Sequence, residues 1–172
     1  MSLARRLQTL LLVTLVVPGH ACLVTSAPSY SAVECPPSFL NNEADPSVGE
    51  PRKYDINDTT APLEFSGTVP IRSCSVANKL FGRVFFDNNL AAQMEINETG
   101  TTIRTARLTL PLKGKERRCH KIEFLVTNEW ANGGDFRTPK KQGDLASIIW
   151  WIDVTDGPWH SLDTCPKSPT SE

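Results

Sequence analysis

Neither sign of charge dominates this chain of 172 residues: 18 Lys and Arg stand against 19 Asp and Glu, for a formal net charge of -1. That balance argues against nucleic acid or an anionic membrane as the main partner, because such partners select a strong basic excess. A convincing long helical period is also missing, and so is any internal repeat. Beyond the N-terminus no apolar run approaches the roughly 20 residues of a membrane span, and no lipid-anchor signal is present. Serine-hydrolase, P-loop, dinucleotide and EF-hand signatures are absent. The cysteines lack the close pairs of zinc modules, so neither a metal site nor a cofactor is expected.

What is present begins with an N-terminal secretory pattern. Arg5 and Arg6 precede a short apolar core, Leu10 to Val17, which Pro18 and Gly19 end. A cleaved signal peptide over residues 1–26 is expected. Cutting after Ser26 leaves Cys35, Cys74, Cys119 and Cys165, the even set that an oxidising compartment favours; cutting after Ala21 would keep Cys22 as a fifth. The remaining chain, roughly 145 residues, is long enough for a core that buries about 68% of its unfolded surface. Secretion to the extracellular space is therefore expected.

Residues 27–60 are rich in Pro, Ser, Asn and acids and read as an irregular N-terminal arm. Residues 61–165 read as the β-domain, and residues 166–172 as a disordered tail. Within the domain, alternating residues predict strands over Leu63 to Val69, Ile71 to Cys74, Leu80 to Phe86, Leu90 to Ile96, Thr101 to Leu112, His120 to Asn128 and Leu145 to Val154. Gly67 and the neighbourhood of Thr105 are expected bulges, since Ile103 is out of step with Leu108, Leu110 and Leu112. Pro70 suggests a strand end or an edge. Asp87-Asn88-Asn89 suits a hairpin corner. Phe81, Val84, Phe85 and Phe86 are too many for one exposed face, and Leu145 to Val154 is apolar on both faces.

An all-β, single-domain antiparallel sandwich or barrel is therefore predicted, disulfide-bonded after signal removal. Spacing does not fix the cysteine pairing. A nested arrangement, Cys35 with Cys165 and Cys74 with Cys119, fits the expected strand order best. Asn57-Asp58-Thr59 and Asn97-Glu98-Thr99 are glycosylation sequons, which places Asn57 and Asn97 at the surface if used.

Three groups of residues are candidates for function. Lys113, Lys115, Arg117, Arg118, His120 and Lys121 form a basic loop, opposed only by Glu116, that suits an acidic partner surface or a sulfated glycan. Trp130, Phe136 and Trp159 lie in or near irregular segments, where aromatics serve as recognition anchors or fold back as lids. The long loop from Asn128 to Asp144 is itself of the kind that carries function. His120, Glu123 and His160, with Arg118, would suit a ribonuclease-type hydrolase, although His120 and Glu123, three apart on a strand, face opposite ways. The sequence thus favours a secreted, non-catalytic protein that binds an extracellular or host protein, with a small secreted hydrolase as the alternative.

Overall fold

The computed structural model describes residues 35–60, 62–74, 76–77, 79–97, 100–133, 135–157 and 165–166. The signal segment, Trp159, His160 and the end of the tail lie outside them. Among the described residues eight strands run in chain order: β1 (Ser38–Phe39), β2 (Arg52–Asp55), β3 (Glu64–Arg72), β4 (Leu80–Phe86), β5 (Asn89–Ile96), β6 (Ile103–Pro111), β7 (Cys119–Thr127) and β8 (Ala146–Thr155). They form two sheets, one ordered β1-β3-β6 and one ordered β2-β8-β7-β4-β5. All pairs are antiparallel except β2 with β8, which is parallel. Of the predicted antiparallel sandwich or barrel, the all-β sandwich is the architecture found, with β2–β8 the parallel departure.

The core is the space between the sheets. Phe65, Val69 and Ile71 of β3 and Ala106, Leu108 and Leu110 of β6 face Val84, Phe124, Ile148, Trp150, Ile152 and Val154 of the larger sheet. Each set recurs at every second residue, because successive strand side chains point to opposite faces. The two-residue corner between β4 and β5 is Asp87 and Asn88, both at positive φ (48° and 70°), where a short polar side chain is least penalised.

Several expectations are corrected. The residues around Thr105 hold no bulge, and neither does Gly67: β3 and β6 stay in one register from Glu64 opposite Pro111 to Arg72 opposite Ile103. Ile103 is out of step because it points outward, 44% exposed, while Arg104 turns inward at 2% exposure. The guanidinium survives there by donating to the carbonyls of Ile96 and Val76, each at 3.2 Å, since a buried charge needs such acceptors. The bulge lies instead in β4, between Val84 and Phe85.

β3 also runs straight through Pro70. Its carbonyl accepts from Leu40 N–H at 3.0 Å, and a strand residue's N and O point the same way, so the missing N–H faces the arm and not β6. The arm bends away there through one 3-10 turn, Asn41–Glu43, and rejoins the β3 edge where Asp45 bridges Thr68.

From Cys35 onward the N-terminal arm is more ordered than its composition suggests. It lays β1 on the smaller sheet and then β2 on the larger one, closing one side of the sandwich. Trp150, buried at the centre of the core, donates its indole N–H to the Pro46 carbonyl at 2.8 Å, and the Phe39 ring meets Phe124 at 5.6 Å. A core hydrogen bond and the Phe39 ring therefore hold an arm whose few apolar residues follow no period.

The cysteines pair as Cys35–Cys74 and Cys119–Cys165, which overturns the nested arrangement. The reason is β1: with Ser38 opposite Arg72, Cys35 falls beside Cys74 by register. A two-residue strand inside a polar arm leaves too little pattern to be read in advance.

Candidate functional site

Two regions that sequence reasoning treated separately meet at the Asp87–Asn88 corner. On the core side stands His120, 2% exposed. Its Nδ1 lies 2.7 Å from the Asp87 carboxylate and its Nε2 2.8 Å from the Glu116 carbonyl oxygen. Both ring nitrogens thus face oxygen partners, and neither is free. Asp87 also accepts from Lys121 N–H at 3.0 Å and from Arg118 at 2.8 Å. Burial alone would raise the Asp87 carboxyl, but the hydrogen bonds from His120 and Lys121 and the charges of His120 and Arg118 outweigh it and hold it below the usual range.

The basic loop ties itself into this corner. Arg117 pairs with Asp156, Arg118 with Glu116 as well as Asp87, and the Lys115 ammonium sits 4.4 Å above the Phe86 ring. Lys121 lies on the opposite face of β7 beside Glu123, at 3.3 Å. Much of the charge read as a binding patch is thus already paired, and Lys121 does not belong to the same surface. Phe86, Asp87, Asn89, Lys115, Arg118 and His120 line an open cleft of about 360 Å3.

On the outer face of the larger sheet, residues 128–133 and 135–145 form a flap. Its base is closed by the buried Asp144 carboxylate, which accepts from Thr127 Oγ1 at 3.0 Å and from Asn128 N–H at 3.2 Å. Ala131 N–H donates to Thr138 O and Lys140 N–H to Glu129 O, making a short ladder beside the bridge between Trp130 and Pro139. The flap then grips the sheet through two arginines. Arg83 stacks under Trp130 (4.2 Å) and Phe136 (5.4 Å) and donates to the Phe136 carbonyl at 2.7 Å. Arg137 lies over Phe85 at 4.0 Å, pairs with Glu123 and reaches Asn88.

Phe85 and Leu125 are buried without joining the core between the sheets. They face outward, where Arg137 of the flap lies over Phe85 and Arg83 stands opposite Leu125. Trp130 folds back as a half-buried lid, whereas Phe136 is left 55% exposed at the tip. Arg83, which holds both rings, and Arg137, which covers Phe85, are positions that sequence reasoning did not single out. A lone arginine among the aromatics of β4 was the signal available.

The hydrolase set is not assembled among the described residues. His120 is on the core face with both nitrogens engaged, Glu123 is on the outer face paired to Arg137 and Lys121, and His160 lies outside the described residues with Trp159. Among the described residues no group of three or more His, Cys, Asp and Glu is placed to hold a metal ion. Asn57 and Asn97 are exposed at opposite ends of the strands, Asn57 after β2 and Asn97 after β5; Asn57 Nδ2 donates to the Asp156 carbonyl at 2.7 Å.

No protein family and no curated protein matches the chain. Among solved structures it is similar to a CARDB domain from Pyrococcus furiosus. The crystal structure of that domain, in complex with di-metal ions, covers 71% of this chain and 94% of its own at 8% identity, with a TM-score of 0.41. A solution NMR structure of the same domain covers 72% and 95%, again at 8% identity, with a TM-score of 0.40. A likeness this distant says nothing about the site.

Proposed function

We propose that the protein is a secreted binding module of effector, inhibitor or ligand type, and that the flap on the larger sheet is its contact face. The observation that carries this reading is Phe136. A large ring left mostly in water is held in place by hydrogen bonding and cation–π contact from Arg83, so little freedom would be lost on docking. Fixed aromatic and arginine anchors are what concentrates affinity in protein interfaces.

Two further features support it. The paired cysteines suit an oxidising, extracellular setting. The sequons at Asn57 and Asn97 sit at the ends of the strands, so glycans there would leave the flap face open. The partner we propose is an extracellular or host protein that offers an apolar pocket for Phe136 beside acidic groups for Arg83 and Arg137. Lys113 and Lys115 extend the basic character toward the Asp87–Asn88 corner.

The test is affinity capture from extracellular fractions with wild-type protein and with Phe136→Ala. A partner retained by wild type and lost by the variant, whose thermal midpoint should be unchanged, supports the reading. A partner captured equally by both would place the contact elsewhere. Turnover of RNA that disappears in His120→Ala would replace binding with the hydrolase.

A further inference from the structure

We propose that the loop of residues 113–118 is a cleavage site for a protease that cuts after Lys or Arg, and that the cut yields two chains held together without a covalent link. The loop carries the chain from β6 in one sheet to β7 in the other, and Lys113, Lys115, Arg117 and Arg118 are all exposed. The side chains of Arg117 and Arg118 are 60% and 52% exposed. Exposed polar loops of this kind are where proteases nick folded domains. Val154 N–H donates to Arg118 O at 3.1 Å, so the bond between Arg118 and Cys119 already belongs to the ladder. That leaves the bonds after Lys113, Lys115 and Arg117. Hydrolysis adds the hydroxyl of water to the carbonyl carbon of the basic residue and a proton to the freed amine.

The disulfides decide whether the cut chain stays covalently joined. Cys35–Cys74 lies wholly before the loop and Cys119–Cys165 wholly after it, so neither bridge spans the cut. The halves nevertheless share a sheet and a core. β7 pairs with β4 from Phe81 to Phe86, β8 pairs with β2 from Arg52 to Asp55, and Trp150 is bonded to Pro46. The cut chain therefore stays assembled until it is unfolded. Cleavage also frees Glu116, whose carbonyl caps His120, and Lys115, which covers Phe86, so the cleft at the Asp87–Asn88 corner loses a wall.

The flap offers a competing site with a different signature. Lys140 and Lys141 are exposed, but a cut beside them falls inside the loop closed by Cys119–Cys165, so its products stay disulfide-linked. Lys140 is also tied to Glu129 through both its ammonium and its backbone N–H. Loop 113–118 should be cut first.

The experiment is limited digestion of the oxidised full chain with trypsin, followed on denaturing gels with and without reductant, by mass spectrometry and by native size exclusion. The expected result is two fragments that separate without reductant, end within 113–118 and elute natively as one species. Lys113→Gln, Lys115→Gln, Arg117→Gln and Arg118→Gln together should slow that cut on the order of tenfold, and Lys140→Gln with Lys141→Gln should leave it unchanged. First fragments that need reductant to separate, halves that elute apart natively, or a loop that resists trypsin would each overturn the proposal.

Discussion

The two sheets differ most on the faces they turn away from each other. Outside β3 and β6 stand Glu64, Ser66, Thr68, Arg72, Ile103, Arg107 and Thr109, none of them buried, and the strands alternate cleanly. Outside β4 and β7 stand Phe85 and Leu125, both buried, with Arg83, Glu123 and the flap laid over them. A bare face is built mainly from polar residues, with Ile103 as an exception; a covered one is built from apolar residues and arginines. The smaller sheet thus needs one partner surface, and the larger sheet has two, one supplied by a single loop.

That contrast is open to measurement. The largest effects should come from what the sheets share. Trp150→Ala removes the core indole and its bond to Pro46, and should lower unfolding free energy by about 3–5 kcal/mol. Denaturant titration would show it, and a loss below about 1 kcal/mol would mean that Trp150 does not join arm to core.

Next come the two disulfides, one clamping β1 to β3 and the other anchored at the start of β7. Their separations of 39 and 46 residues differ little, so removing either should cost a similar amount, about 4 kcal/mol in the chain-entropy view. Comparing thermal midpoints of Cys35→Ala/Cys74→Ala with Cys119→Ala/Cys165→Ala tests whether the sheets are clamped equally.

Two core-facing glycines sharpen the comparison. A Cβ on Gly82 of β4 would lie 2.6 Å from Phe124 and 3.0 Å from Met94, whereas one on Gly67 of β3 would come no nearer than 3.0 Å, to the Phe65 ring edge, with the Asp45 carbonyl oxygen at 3.8 Å. Gly82→Ala should therefore cost about 1–3 kcal/mol, with Gly67→Ala clearly milder; the reverse order would contradict the tighter fit of the larger sheet.

Acid should act on the Asp87 corner. The Asp87 carboxyl is depressed in the folded state, so its contribution is present above the ordinary carboxylate range and is lost as pH falls through its lower folded value. Wild type should lose stability below about pH 4, and Asp87→Asn, already without that contribution, should lose less over the same window. The smallest effect on stability belongs to Phe136→Ala, within about 0.5 kcal/mol, although it should abolish partner capture.

Much of the larger sheet's peculiarity was legible. The crowding of Phe81, Val84, Phe85 and Phe86, and the two-faced run from Leu145 to Val154, pointed to strands covered on both sides, and β4, β7 and β8 are the central strands of their sheet. Nothing in that pattern said that a loop would supply the cover, because cation–π contacts join residues more than 45 positions apart, such as Arg83 and Trp130. The basic loop was legible as charge but not as pairing, since Asp87 and Asp156, which neutralise Arg118 and Arg117, come from other strand ends.

By itself the sequence determined the β architecture, the approximate positions of β3 to β8 and the hairpin corner, because these arise from a two-residue period and from turn chemistry, which act between near neighbours. Tertiary structure alone decided the disulfide pairing, the inward turn of Arg104, the place of the arm and the two-sided capture of His120. Each depends on which distant backbone lies alongside, and register between strands carries that information where no local pattern does.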